Sequence, residues 1–166
     1  TVSDRERLAR SLGADEFWLK PIDPERLVRK LRSLAPARAT PRVLLIDDDE
    51  RVHYLMRQFL RDTPYELVTA ASGREGVAAA RERLPQVILL DFLLRDRTAF
   101  EVLGELRADP RTAGIPVIIV TSYVLGTRDT QRLLAEAGAV LSKEHLSREL
   151  MLGHIHDALA GAVKAP

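Results

Sequence analysis

At 166 residues, with 46% hydrophobic and 30% charged residues, the chain has an ordinary globular composition and room for one domain with a full core plus a remainder too small to fold by itself. A net charge of +1 gives no reason to expect nucleic acid or an anionic membrane as a partner, and the lack of cysteine excludes disulfides and thiolate metal sites and fits a reducing, cytoplasmic setting. No apolar stretch approaches the ~20 residues of a membrane span, no signal peptide opens the chain, and a start at Thr1 without methionine reads as a fragment.

The first residues read helix, strand, helix. Arg5–Leu12 is helical and ends at Gly13, Glu16–Lys20 is strand-like, and Asp23–Leu34 is helical with Pro24 in its first turn. The prolines and small residues of Ala35–Pro41 carry no apolar period and predict a linker, drawn over 36–41, between a unit of residues 1–35 and a domain of residues 42–163. Beyond it, strand-like and helix-like runs alternate. Arg42–Asp47 is apolar and β-branched, as a buried parallel strand requires. Val52, Leu55, Met56, Phe59 and Leu60 recur at helical spacing up to Thr63-Pro64. Tyr65–Ala71 is a strand, Gly73–Leu84 a helix, Val87–Asp91 a central strand, and Phe100 to Leu106 a helix closed by Asp109-Pro110. Ile115–Thr121 is a strand, Thr127–Ala137 a helix with Gly138 as its C′ residue, Ala139–Ser142 a short strand, and Ser147–Val163 a last helix capped by Ser147. Strict alternation of five strands and five helices with right-handed crossovers predicts an α/β domain, a doubly wound five-stranded parallel sheet with helices on both faces. The order helix, Gly-Ala, short strand, lysine, helix occurs twice, at Gly13-Ala14 with Lys20 and at Gly138-Ala139 with Lys143, so the N-terminal α-β-α segment repeats the last third of the domain.

Polar residues at the carboxyl ends of parallel strands converge on one edge of the sheet, where such proteins build their sites. Asp47-Asp48-Asp49 ends the first run, Asp91 the central one, Thr121-Ser122 the fourth, and Lys143 follows the fifth. Magnesium takes oxygen ligands and keeps part of its water shell, so Asp48 and Asp91 are assigned to direct coordination, Asp47 next to the ion or to its water, and the backbone carbonyl of Leu93 as a further ligand. Asp91, single at the end of the central strand, is the candidate nucleophile. The Thr121 hydroxyl and the Lys143 ammonium would then stabilise charge on a transferring phosphoryl group. A carboxylate nucleophile needs no base, and none is supplied.

These four motifs, Ile46-Asp47-Asp48-Asp49, Leu89-Leu90-Asp91, Val120-Thr121-Ser122 and Lys143, resemble the receiver domain of two-component response regulators over residues 42–163. Residues 1–34 resemble the C-terminal part of another receiver through Phe17-Trp18-Leu19-Lys20-Pro21. The resemblance implies a flavodoxin-like fold, Mg2+ dependence, phosphorylation at Asp91 from a histidine kinase or phosphotransfer protein, and a signalling role that is not enzymatic in itself. It also implies a place in a tandem-receiver regulator or hybrid kinase, with another receiver domain, including a second copy of this chain, as a pairing partner. Three positions depart from the family: Arg95 replaces a proline four residues after Asp91, Glu144 replaces a proline after Lys143, and Val140 replaces an aromatic that reports phosphorylation. Thr98-Ala99 also stands where the family has an Asp-Gly turn, which predicts a different loop path.

Blander readings compete for each motif. The acidic triplet could be a solvated helix N-terminus, Thr121 and Ser122 could merely end a strand, and a lone lysine is most often a surface residue. His154 and His156 stand on different faces of the last helix and read as surface histidines. Asp47-Asp48-Asp49 also resembles the nucleophile motif of haloacid-dehalogenase-like phosphatases, but Arg51 stands where that motif wants Thr or Val. A nucleotide-binding fold would need glycines after the first strand. Two readings remain: a phosphoryl-accepting switch, and a receiver-shaped interaction module that works without phosphorylation. No helix-turn-helix or kinase segment is present. Phe17, Trp18, Leu19, Leu27 and Leu31 are too few to bury themselves and predict a partner surface.

Overall fold

The computed structural model describes residues 40–163. The chain divides into two compact units, Thr1–Ala39 and Thr40–Pro166, and the described residues belong to the second. The helices and strand expected over residues 1–35, most of the linker at 36–41, and the Phe17-Trp18 pair lie outside the described residues.

Five strands, β1 (Arg42–Ile46), β2 (Glu66–Ala70), β3 (Val87–Leu90), β4 (Val117–Thr121) and β5 (Ala139–Ser142), alternate with five helices, α1 (Glu50–Phe59), α2 (Gly73–Arg83), α3 (Ala99–Ala108), α4 (Thr127–Glu136) and α5 (Arg148–Val163). A 3-10 turn, Lys143–His145, precedes α5. All pairings are parallel, in the order β2-β1-β3-β4-β5. This is the doubly wound five-stranded parallel sheet that the alternation predicts, in the flavodoxin-like form that the resemblance implies. β1, β3 and β4 are continuous apolar runs because both their faces are covered. Alternate residues feed two cores. Leu44, Ile46, Ile88, Leu90, Val117 and Ile119 pack against Val77, Ala80, Val102, Leu103, Leu106 and Leu133 of α2, α3 and α4. Val43, Leu45, Val87, Leu89, Ile118 and Val120 pack against Met56 and Leu60 in and after α1 and Met151 and Ile155 of α5.

The helix starts follow local chemistry. Asp49 caps α1 through its carboxylate, Ser72 caps α2 with its hydroxyl on the Glu75 N–H, and the Ser147 hydroxyl accepts from the Leu150 N–H at 3.1 Å to open α5. Observed boundaries fall within two residues of those expected except at the end of α1, which stops at Phe59 and passes into a turn closed by the Thr63 N–H on Leu60 O instead of running to Thr63-Pro64; β4 begins at Val117 and not Ile115, because Pro116 has no N–H to give a ladder. Gly138 differs from expectation. It does not take the left-handed C′ conformation, and α4 ends with Ala137 extended, after which the Gly138 N–H donates to Val117 O of β4 at 2.8 Å. The sheet, not a helix cap, claims that backbone.

Candidate functional site

Strand order reverses at β1 and β3, so their carboxyl ends border a crevice. The ladder runs one residue past each strand: the Asp47 N–H donates to Ala70 O at 3.1 Å and the Asp91 N–H to Ile46 O at 2.9 Å. Backbone pairing therefore sets Asp91 beside Asp47. Both are buried, at 8% and 1% exposure. Lys143 arrives from the end of β5, and its Nζ lies 2.6 Å from Asp47 Oδ2 and donates to Asp91 Oδ2 at 3.0 Å. Asp91 Oδ1 accepts from the Phe92 N–H at 2.7 Å, and Asp47 Oδ1 from the Asp49 N–H at 2.9 Å. Asp47 Oδ2 is fully buried and, despite the nearby ammonium, has no aligned hydrogen bond.

Burial pushes the Asp47 carboxyl up from the ordinary aspartate value, and the close Lys143 ammonium only partly offsets it. For Lys143, burial works downward, but the close Asp47 carboxylate, then the hydrogen bond and charge of Asp91, outweigh it and hold the ammonium above the ordinary lysine value. The two directions agree physically: one cation is shared between two carboxylates, so it is firmly charged while Asp47 remains short of a counter-charge.

Oxygens of Asp47, Asp48 and Asp91 lie within 4.8 Å of one another. Asp49 does not join them. It turns along α1 and bonds Arg51, whose side-chain and backbone hydrogen bonds lower its pKa to about 2. Leu93 lies in an isolated antiparallel bridge with Thr98, made by Ala99 N–H to Phe92 O and Leu94 N–H to Arg97 O. The Leu93 carbonyl is not spent in those bonds. Three carboxylates, one of them with an orphaned buried oxygen, make a donor set that fits a hard divalent cation such as Mg2+. Thr121 is buried at the end of β4, and its Oγ1 accepts from the Tyr123 N–H at 3.0 Å, which leaves its own hydrogen free to donate. Ser122 is exposed.

Several neighbours were not legible as site residues. His53, buried on α1, bonds through Nε2 to the Asp47 backbone carbonyl at 2.6 Å, which requires that nitrogen to carry the hydrogen. Its one signal in sequence is its position three residues before the core Met56. Arg95 Nε sits 3.0 Å from Asp48 Oδ2. Asp96 accepts from the Gly73 and Arg74 N–H groups at 2.8 and 3.0 Å, capping α2 from another loop. The loop after Asp91 makes its turn with no residue at positive φ, so it needs no Asp-Gly pair. His156 is exposed and packs edge-on against Tyr65, and His154 is half-buried.

A family model described as the response regulator receiver domain matches residues 43–154. The chain is 32% identical over 120 residues to the protein PilH of Pseudomonas aeruginosa, covering 72% of this chain and 98% of that one. It is 28% identical over 135 residues to the phosphate regulon transcriptional regulatory protein PhoB of Rhizobium meliloti, covering 69% of this chain but 60% of PhoB. Among solved structures, a CheY-like receiver domain protein from Methanospirillum hungatei superimposes with a TM-score of 0.67 at 28% identity, covering 76% of this chain and 98% of that one. The chemotaxis protein CheY4 of Vibrio cholerae does so at 0.66 and 28%, covering 73% and 100%.

Proposed function

The chain belongs to the response regulator receiver domain family, and from that membership we propose that it accepts a phosphoryl group on Asp91 in a Mg2+-dependent two-component phosphorelay. The observation that carries this reading is Lys143 bridging Asp91 and Asp47 beside Asp48, all at one crevice of the sheet. A histidine kinase or phosphotransfer protein supplies the group as a phosphohistidine. An Asp91 oxygen bonds to phosphorus as the phosphorus–nitrogen bond breaks, and the imidazole keeps the electron pair. Asp48, Asp91 and the Leu93 carbonyl would hold the cation, with Asp47 on the ion or its water. When bound, Mg2+ neutralises charge on the phosphoryl oxygens. Lys143 leaves Asp91 for a phosphoryl oxygen, and the Thr121 hydroxyl donates to another. The open groove beside Lys143, edged by Val52, Leu55 and Leu146, gives the donor an apolar seat.

Incubation with acetyl phosphate and Mg2+, followed by mass spectrometry, should add one phosphoryl group to the peptide containing Asp91 and none in Asp91→Asn. An unchanged yield in that variant would sink the assignment. The ion pair of Arg95 with Asp48 favours a second reading, an interaction module that works without phosphorylation; under it neither protein gains an adduct. We further place the chain in a tandem-receiver regulator or hybrid kinase, with residues 1–35 as the end of a preceding receiver that pairs with another receiver domain.

A further inference from the structure

Asp48 is the member of the three-carboxylate cluster that Lys143 does not reach among the described residues. Its Oδ2 is instead 3.0 Å from Nε of Arg95, a side chain 83% exposed on the loop that follows Asp91. Two cations thus divide three carboxylates: Lys143 holds Asp47 and Asp91 from the β5 side, and Arg95 holds Asp48 from solvent. The backbone around Arg95 is anchored on both sides. The Leu94 N–H donates to Arg97 O at 3.0 Å, Asp96 is bonded to the start of α2, and Arg97 pairs with Asp96 and Glu105. An anchored backbone delivers the guanidinium to Asp48, while its solvent exposure leaves the head free to depart.

We propose that Arg95 is a resident counter-cation that competes with Mg2+ for Asp48, so that metal entry exchanges one cation for another and Arg95 sets the metal affinity of the pocket. The inference rests on the phosphoryl-accepting reading of the same site. Two costs fall on the incoming ion. The Arg95–Asp48 pair must open, and the displaced guanidinium stays on an anchored loop within range of the divalent charge. Both costs are moderated. The contact is an ion pair with no aligned hydrogen bond among the described residues, not a two-pronged fork, and the side chain lies in water, where ion pairs are screened. Exposed pairs of this kind correspond to about two- to five-fold in an equilibrium constant.

Isothermal titration of Mg2+ into the 166-residue chain tests this directly, with wild type, Arg95→Gln and Arg95→Lys compared in one buffer. The glutamine variant keeps bulk and polarity without charge and should bind Mg2+ about two- to five-fold more tightly, while the lysine variant should stay near wild type. Equal affinity of wild type and Arg95→Gln, or weaker binding by Arg95→Gln, would overturn the competition and leave the metal site standing. If Arg95→Lys tightened as much as Arg95→Gln, charge would not be the cause and the proposal would fail. Binding heat absent from all three proteins would overturn the metal site and the inference together.

Discussion

Lys143 Nζ faces two carboxylates at 2.6 and 3.0 Å, and the side chain that carries it is 14% exposed. Removing it leaves Asp47 buried without its cation, and breaking one side of a buried pair costs far more than the pair contributes. Lys143→Ala should therefore lower stability without metal by about 1–3 kcal/mol, and Mg2+ should raise the melting temperature of the variant more than that of wild type. Scanning calorimetry with and without Mg2+ checks both signs; an unchanged melting temperature without metal would count against the role given to Lys143. The pH dependence follows from the two shifts. The raised pKa of Lys143 means that its contribution is fully present below the ordinary lysine value and is lost as pH rises through the higher folded value. Asp47 behaves oppositely: its raised pKa marks a burden present above that pKa and relieved as pH falls through it. The gap between wild type and Lys143→Ala should thus be widest near neutral pH and narrow in both acid and strong alkali.

At the level of elements, the helices sit against the sheet at distances set by small residues. Gly76 of α2 lies over Ile46 of β1, and an added methyl would come within 2.7 Å of Ile46 Cγ1 and Cγ2, in the core and one residue before Asp47. Gly104 of α3 meets open space instead, with no heavy atom within 4 Å of the place an added methyl would take. The two glycines should therefore respond with opposite signs. Gly76→Ala should cost about 1–3 kcal/mol through overpacking, whereas Gly104→Ala should stabilise by about 0.5–1 kcal/mol because a helix interior favours alanine. Urea unfolding measures both, and a destabilised Gly104→Ala would contradict the open space seen at that helix face. Arg107 joins elements more directly: its guanidinium donates to the Ala113 and Ile115 carbonyls at 2.8 and 2.9 Å and to Glu136 O at 3.0 Å. One side chain thereby closes the ends of α3 and α4 over the approach to β4.

On the scale of the whole molecule, both cores and every described site contact fall within residues 40–163. A chain of that size, with a sheet covered on both faces, buries enough apolar surface to fold by itself. A truncated protein of residues 40–166 should unfold in one cooperative transition near the midpoint of the longer chain. Light scattering on the two proteins then tests the pairing role proposed for residues 1–35: loss of a dimer on trimming supports it, and equal monomeric masses refute it. For the described residues, no helix is long and apolar enough to cross a membrane.

The sequence by itself determined the alternation of elements, the two-faced burial of β1, β3 and β4, and the placing of Asp47, Asp48, Asp91, Thr121 and Lys143 at strand ends. These are written locally: an apolar run reports a strand covered on both faces, and a parallel sheet sends the residue after each run to one edge. Even the turning away of Asp49 was readable, because an aspartate before a helix bonds the backbone two residues on. Arg95 on Asp48, His53 on the Asp47 carbonyl, Asp96 over the start of α2, and the extended Ala137 with Gly138 joining β4 were decided only by the tertiary structure. Each depends on which loop or helix lies against which neighbour. Segments distant in sequence settle that through packing and hydrogen bonding, and no periodicity within either segment records it.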